Sequence, residues 1–260
     1  MGIQESNVML RGWNLRWRAD ALFARKAKIR GDVPIVSFSF DDFPHSAASN
    51  GARILEKYDA RGTFYTCGSF CGRTVNGVVQ YTADDLSAVY QAGHEIGCHT
   101  FNHRHVSELT KSELVTEAAL NASFLADRLP GVSLRTFAYP SGDVSFMASR
   151  RLERMFSGCR STTFGLNKGR ANLGRLLAVR LYSGLLVPGD VSRLVREAVE
   201  ENAWLIFYTH DVEENPTRYG CAPELLEHAI NATISSGVRI ETISDAISIV
   251  CQPDRQPPSS

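Results

Sequence analysis

Short apolar runs alternate with longer amphipathic segments along most of this chain. The apolar runs, which are typical of buried strands, lie at 34–41, 62–67, 94–99, 134–139, 159–164, 176–182, 203–209 and 237–242. Segments with helical periodicity lie between them, at 46–60, 83–92, 110–128, 144–156, 190–202, 223–236 and 243–250. This alternation predicts an α/β fold with a largely parallel sheet, either a barrel of seven or eight βα units or an open doubly wound sheet.

Polar residues at the ends of the predicted strands favour the barrel. Six residues hold such positions: Asp41, Asp42, His99, Tyr139, Ser141 and His210. The carboxyl ends of barrel strands converge on one face of the fold, where active sites lie. We therefore expect these six residues to meet at one site.

Local signals predict several helix ends. Thr110 followed by Glu113 has the pattern of a capping box. Pro223 suits the first turn of a helix, and Gly237 suits the position just after its end. Asp190 is expected to cap the helix that begins there.

The terminal segments differ from the alternating pattern. The predicted organisation is a helical extension at 1–32, one domain at 33–250 and a disordered tail at 251–260, which is rich in Pro and Ser. Within 9–30, Trp13 and Trp17 are four residues apart, as on one face of a helix that packs on the barrel. The alternative for 9–30 is a basic amphipathic helix in peripheral contact with a membrane surface.

Composition narrows the classes of partner. Basic and acidic residues number 28 each, so no net charge favours nucleic acid as a partner.

No apolar run is long enough for a secretion signal or a transmembrane segment, which leads us to expect a cytoplasmic protein. The six cysteines lack zinc-ribbon spacing and fit a reducing compartment. The oligomeric state is left open.

Two acidic residues and two histidines indicate metal chemistry. Asp41 and Asp42 are adjacent, so both can serve one site only if the strand ends and the backbone turns there. His99 and His103 are four residues apart, which allows both rings to face one side. Two imidazoles and one carboxylate form an open site for Zn²⁺ or a similar divalent ion, and the second carboxylate is then free to act as a base.

Four short motifs occur in a fixed order. They are Ser-Phe-Asp-Asp-Phe-Pro at 39–44, His-Thr-Phe-Asn-His at 99–103, Phe-Ala-Tyr-Pro-Ser-Gly at 137–142 and Phe-Tyr-Thr-His at 207–210. In order and spacing, the chain resembles the polysaccharide deacetylase family, also called NodB-like or carbohydrate esterase family 4. The resemblance extends over 34–245.

This resemblance implies a distorted (β/α)₇ barrel and a metal-dependent hydrolase that releases acetate from N-acetylated glycans. It assigns one divalent metal, expected to be Zn²⁺ with Co²⁺, Ni²⁺ or Mn²⁺ as alternatives, to Asp42, His99 and His103. It assigns the general base to Asp41 and the general acid to His210. Oxyanion or substrate contacts are expected from four residues: Tyr139, Pro140, Ser141 through its backbone N–H, and Phe43 through a ring that would line the sugar cleft.

The chain departs from the family pattern in three places. Phe43 replaces a glycine, which makes a positive φ costly in the loop after the metal aspartate. Ala138 replaces an arginine that pairs with the base in many members, and Arg135 is expected to point to the other face of its strand. A further family motif, Asp-x-x-Asp-Trp, which in many members helps to orient the acid histidine, has no clear match in this sequence. His105 matches no ligand position and is expected to orient its neighbours or cap the helix at 110.

Two rival functions are kept open. One is a related deformylase or amidohydrolase that acts on a small, non-polymeric amide. The other is a non-catalytic carbohydrate-binding homologue, although Asp41 and His210 are both present. The identity of the sugar and the length of the glycan are not readable from the sequence.

Overall fold

The computed structural model describes residues 26–29 and 34–250. The strands are β1 Lys26–Lys28, β2 Ile35–Phe40, β3 Thr63–Thr66, β4 Thr74–Val75, β5 Val78–Val79, β6 Glu95–Cys98, β7 Thr136–Ala138, β8 Gly158–Arg160, β9 Arg170–Asn172, β10 Val179–Arg180, β11 Trp204–Thr209 and β12 Arg239–Ile240. The α-helices are α1 Arg53–Lys57, α2 Ala83–Gln91, α3 Lys111–Ala126, α4 Phe146–Leu152, α5 Pro188–Glu200, α6 Pro223–Ser235 and α7 Ile243–Val250.

The main sheet is parallel and curls into a barrel. Its strands follow the order β10-β11-β2-β3-β6-β7-β8. Backbone hydrogen bonds from Ser161 N–H to the Leu176 carbonyl, and from Leu176 N–H to the Cys159 carbonyl, join β8 to the segment that enters β10. The predicted distorted (β/α)₇ barrel is confirmed.

The distortion has a local cause. Strand β2 pairs along its whole length with β11, from Ile35 opposite Trp204 to Phe40 opposite Thr209. On its other side, β2 pairs with β3 only at its carboxyl end, while β12 pairs with its first two residues. The register with β11 places Asp41, which follows β2, next to His210, which follows β11.

The core explains why β2 and β11 are continuous apolar runs. Both strands are fully buried along their length, because helices cover the outside of the sheet and side chains fill its inside. A strand that is buried on both faces has no solvent-exposed side, so polar and apolar residues do not alternate along it. Phe38 and Phe207 stack across this pair, with ring centroids 5.7 Å apart.

The predicted helix ends are mostly confirmed. The side chains of Thr110 and Glu113 each accept a hydrogen bond from the other's backbone N–H. Pro223 begins α6, and Gly237 follows it with φ 69°. Asp190 lies in the first turn of α5, which begins at Pro188, and its carboxylate accepts a hydrogen bond from the Val187 N–H just before the helix. It therefore caps the helix from its third position and not from the residue before it.

Two pairs of strands were not predicted, and one predicted helix is different. The hairpin β4–β5 and the pair β1–β9 are short and antiparallel. Helix 46–60 opens as a π-helix, Ala47–Ala52, before α1. The π-helix brings Gly51 against the Phe40 ring, where a Cβ would lie only 2.9 Å from a ring carbon.

The terminal predictions are tested only in part. At 26–28 the predicted helix is wrong, since these residues form β1 and pair with β9. Residues 1–25, with Trp13 and Trp17, and the predicted tail at 251–260 lie outside the described residues. Among the helices that are described, none combines the length and the apolar character needed to cross a bilayer.

Candidate active site

One cavity of about 620 Å³ opens at the carboxyl ends of the barrel strands. Among the residues that line it are six of the predicted site residues: Asp41, Asp42, His99, His103, Ser141 and His210. The cavity also receives side chains from the hairpin β4–β5 and from the loop after β11. Its volume is within the range of small-molecule sites.

Asp42, His99 and His103 form the one group of potential metal ligands found among the described residues. Their ligand atoms all lie within 4.8 Å of one another. Asp42 Oδ1 is 3.5 Å from His99 Nε2 and 3.2 Å from His103 Nε2. This oxygen is buried and has no hydrogen-bond partner, although buried polar atoms normally have one. A divalent cation fits this set, because it would satisfy the oxygen and both imidazoles.

His99 is held in the tautomer that a metal ligand needs. Its Nδ1–H donates a 2.8 Å hydrogen bond to the carbonyl of Ala138, which leaves the Nε2 lone pair facing Asp42. Burial lowers the pKa of His99 to about 4, although the negative charge of Asp41 alone would raise it. The imidazole is therefore neutral at physiological pH and available as a ligand.

Several residues of the site adopt left-handed backbone conformations. Positive φ angles occur at Asp42 (62°), Phe43 (62°), Thr100 (60°), His103 (53°) and Ser141 (56°). The turn at Asp42 is what allows two adjacent aspartates to face one cavity, as the sequence required. Left-handed residues other than glycine cost of order 1 kcal/mol each, and such strain clusters at functional sites.

Glu117 on α3 holds the loop between the two histidines. Its carboxylate accepts hydrogen bonds from the backbone N–H groups of Phe101 and Asn102, at 3.0 and 2.8 Å, and from the Asn102 side chain at 2.9 Å. Glu117 is buried, so these bonds are shielded from water. Sequence reasoning missed this residue, because nothing in its helical surroundings indicates the loop that it supports.

Asp41 is paired with Arg160, which the sequence did not identify. The Arg160 guanidinium donates to Asp41 Oδ1, and both side chains are buried. The same guanidinium lies 4.6 Å from the ring centroid of Tyr208 and 5.3 Å from that of Tyr65. Burial would raise the pKa of Asp41, but the charge of Arg160, with smaller contributions from the neighbouring histidines, lowers it below its usual value.

Arg160 provides the positive charge that many family members carry on an arginine at the position of Ala138. Strands β7 and β8 are parallel neighbours, and Ala138 is the register partner of Arg160. The guanidinium therefore reaches Asp41 from the adjacent strand, at the level of Ala138. Arg135, the other candidate, instead bonds Ser248 on the outside of the barrel, as expected from its position.

His210 is oriented by a backbone carbonyl. Its Nδ1–H donates to the Tyr219 carbonyl at 3.2 Å, which leaves Nε2 free on the other side of the ring. The rings of Tyr182 and Tyr219 lie 6.0 and 5.4 Å away. Asp211, the next residue, instead accepts two hydrogen bonds from Thr217 and holds the loop that carries Tyr219. The Tyr219 carbonyl thus orients His210 in a chain that has no clear match to the Asp-x-x-Asp-Trp motif.

Three of the four predicted oxyanion or substrate residues do not line the cavity. Phe43 is fully buried and stacks on Tyr81 at 4.7 Å, so the prediction that its ring lines the sugar cleft is wrong. It also adopts the positive φ that was expected to be costly, because the ring is anchored in the core. Tyr139 is buried with its hydroxyl bonded to the Gly174 carbonyl, and Pro140 is buried beside it. Ser141 alone reaches the cavity.

His105 is exposed and lies outside the metal-ligand cluster. It precedes a short 3₁₀ helix, Val106–Glu108, and its side chain makes no capping hydrogen bond there. Thr110 caps the helix that follows. The expected capping role of His105 is therefore wrong.

Comparison with known proteins agrees with this geometry. The profile of the polysaccharide deacetylase family matches residues 28–155, which include both aspartates and both histidines of the ligand cluster. The chain belongs to the polysaccharide deacetylase family. Other members of the family show how far the likeness extends.

Two curated family members align with part of the chain. The bifunctional xylanase/deacetylase of Pseudobutyrivibrio xylanivorans is 25% identical over 122 residues, which is 44% of this chain and 19% of that protein. Chitin deacetylase 1 of Cryptococcus neoformans is 29% identical over 113 residues, 44% of this chain and 22% of that protein. The matched region thus spans only about a fifth of each of these relatives.

Solved structures of the family share the fold. An acetyl xylan esterase of Clostridium thermocellum, solved with a cobalt ion, superposes with a TM-score of 0.60 at 18% identity, over 83% of this chain and 91% of that one. A peptidoglycan N-acetylglucosamine deacetylase gives the same TM-score at 14% identity, over 87% and 94%. At this level of identity the likeness establishes the barrel alone.

Proposed function

We propose that this protein is a divalent-metal-dependent hydrolase that removes N-acetyl groups from N-acetylated sugars and releases acetate. The observation that carries this proposal is the buried, unpartnered Oδ1 of Asp42, which faces the Nε2 atoms of His99 and His103. Asp41 and His210 line the same cavity. Membership of the polysaccharide deacetylase family supports the choice of substrate class.

Asp42, His99 and His103 would hold the metal ion. Two imidazoles and one carboxylate suit Zn²⁺, with Co²⁺, Ni²⁺ and Mn²⁺ as alternatives, and leave positions open for other ligands. When bound, the ion would supply Lewis acidity for the attacking water and for the carbonyl oxygen.

The chain's own residues would move the protons. Asp41, kept ionised by Arg160, accepts a proton from the water that attacks the N-acetyl carbonyl. The backbone N–H of Ser141, a residue in a left-handed turn that lines the cavity, would donate to the developing oxyanion. His210 donates a proton from Nε2 to the departing amine, while its Nδ1–H remains on the Tyr219 carbonyl. The C–N bond breaks, and the products are acetate and an amino sugar.

Acetate release tests the proposal directly. Zinc-loaded protein is incubated with chitooligosaccharides, peptidoglycan and poly-N-acetylglucosamine, and the same assay is repeated after chelation and after zinc is restored. We expect acetate from at least one substrate, loss on chelation and recovery with zinc. Asp41→Asn is the matched variant, expected to keep the metal and lose about 10²–10⁴-fold in rate. Absence of acetate from every substrate with loaded protein would refute the proposal.

A further inference from the structure

The carboxylates of the cavity make their contacts with groups other than its exposed arginines. Asp41 is already paired with Arg160, and Asp42 lies within the metal-ligand cluster. Asp211, the third carboxylate of the lining, accepts hydrogen bonds from the Thr217 backbone and hydroxyl, both at 2.6 Å. None of these three carboxylates forms an ion pair with either of the two exposed arginines of the lining, Arg180 and Arg218.

Two arginines line the cavity without a carboxylate partner in the described part of the chain. Arg180 ends β10, where its register partner is Tyr208 on β11, two residues before His210. Arg218 lies in the loop after β11, with its guanidinium 4.5 Å from the centroid of the Tyr219 ring. Both side chains are exposed, and neither has an ion pair with a described residue. Their guanidinium groups are therefore free to bind an anion.

Both arginines belong to what we call the His210 side of the cavity, formed by Arg180, Tyr182, Tyr208, His210, Arg218 and Tyr219. The proposed proton donor to the leaving amine is on this side, so the sugar that carries the nitrogen must lie against it. The acetyl group must lie towards Asp42. Beside His103 the lining has no arginine or lysine, and Phe70 stacks on that ring at 5.7 Å. An anion would therefore be part of the sugar portion of the substrate.

We propose that the cavity selects N-acetylated sugars with an acidic substituent, a carboxylate or a phosphate, on or next to the sugar that is deacetylated, and that Arg180 and Arg218 bind this group. This inference rests on the proposed function. The planar guanidinium matches the oxygens of carboxylate and phosphate and can bind either through two parallel hydrogen bonds. The ring of Tyr219 supports one face of Arg218, which leaves its edge to the ligand.

Matched substrates test the inference. The set is a neutral N-acetylglucosamine disaccharide, the same disaccharide with a carboxylate-bearing ether on one sugar, and the same with a phosphate ester. KM and kcat of acetate release are measured for zinc-loaded wild type, Arg180→Gln, Arg218→Gln and the double variant, at low and high salt. Arg53→Gln is the control, since Arg53 is an exposed arginine on α1 that does not line the cavity.

We expect the acidic sugars to have the lower KM with wild type. Each cavity variant should raise KM for them by on the order of 10-fold, with kcat and the neutral substrate little changed. High salt should reduce the same preference, because it screens exposed charges. A preference for only one of the two anions supports the proposal and identifies that anion. Equal KM values for neutral and acidic sugars, or an equal effect of Arg53→Gln, would overturn it.

Binding separates this inference from the proposed function. The dissociation constants of the same three sugars are measured by calorimetry with zinc-loaded Asp41→Asn. Tighter binding of the acidic sugars that is lost in the Arg180→Gln/Arg218→Gln background supports the anion site even if no sugar releases acetate. In that event the deacetylase assignment fails alone. Equal affinity for the three sugars overturns the anion site while leaving acetate release as an independent result.

Discussion

The two sides of the cavity are built in different ways. The Asp42 side, which comprises Asp41, Asp42, His99, His103 and Arg160, lies at strand ends and is largely buried, and side-chain and backbone hydrogen bonds fix it. The His210 side lies at the ends of β10 and β11 and on the loop that follows β11, with a backbone carbonyl as the partner of His210 and with arginines exposed to solvent. Buried networks position reacting groups accurately, whereas exposed loops tolerate variation. The first side is suited to chemistry and the second to the choice of substrate.

Removal of a metal ligand should have the largest effect and should be confined to the Asp42 side. His99→Ala deletes a buried imidazole whose Nε2 faces Asp42, so we expect loss of the bound metal and of acetate release. Elemental analysis together with the acetate assay measures both. His105→Ala is the matched control, because His105 is exposed and lies outside the cluster. Equal metal content in His99→Ala and wild type would remove His99 from the site.

Loss of His210 should impair proton donation to the leaving group and leave the metal on the Asp42 side in place. His210→Ala should keep its metal, yet lose about 10²–10⁴-fold in kcat on N-acetyl sugars, because an amine leaves poorly without a proton. Activated acetyl esters have leaving groups that need little protonation and should lose much less. Rates on both substrates, with metal content, give the comparison. An equal loss on amide and ester would contradict the role of His210 as the acid.

Arg160 should affect pH dependence as well as stability. Asp41 works as a base only when ionised, so the rate falls as pH drops through its pKa. Without the guanidinium, burial raises that pKa, and the acidic limb of the profile for kcat/KM should move to higher pH in Arg160→Gln. Loss of one partner of a buried ion pair also costs about 3–5 kcal/mol of stability.

Two variants control for unfolding. Arg160→Lys keeps the charge and should restore part of the wild-type pH profile, while Arg135→Gln should leave the profile unchanged, since Arg135 bonds Ser248 away from the cavity. An acidic limb at the same pH in wild type and in folded Arg160→Gln would show that Arg160 does not set the ionisation of Asp41.

The smallest effect is expected at the support of the metal loop. Glu117→Gln keeps the size of the side chain but weakens the bonds to the Phe101 and Asn102 N–H groups. Loss of such outer support typically lowers metal affinity about 10–100-fold. Competition with a zinc chelator measures it, with the exposed Glu108→Gln as control. Unchanged affinity in Glu117→Gln would mean that the loop holds its shape without this carboxylate.

The Asp42 side was the easier side to predict. The candidate ligands could be predicted from local patterns. The spacing of His99 and His103, and the position of the two aspartates at a strand end, limit where these side chains can point. The barrel followed from alternation of strands and helices, which is also a local property. Arg160 could not be found in this way, because its contact with Asp41 depends on the register of β8 against β7. Glu117 depends likewise on how α3 packs against a loop.

Phe43 shows why a single departure from a pattern is hard to interpret alone. Replacement of glycine indicated either a changed backbone or a ring in the cleft. The chain instead keeps the left-handed backbone, at a cost of about 1–2 kcal/mol, and buries the ring against Phe64 and Tyr81. Truncation of a buried phenylalanine costs about 3–5 kcal/mol, so the packing outweighs the strain. The compensation is visible only once the neighbours of the ring are known.

The exchange of Ala138 for Arg160 has a consequence for how enzymes of this kind are recognised. Two residues that are register partners on neighbouring parallel strands can each direct a side chain to the same point. An arginine on either strand can therefore reach the same aspartate. A survey based on contiguous motifs would score this chain as having lost its arginine and could class it with inactive homologues. A survey of three-dimensional neighbours would score it as intact. Homologues dismissed on the first criterion should be searched for an arginine on the adjacent strand.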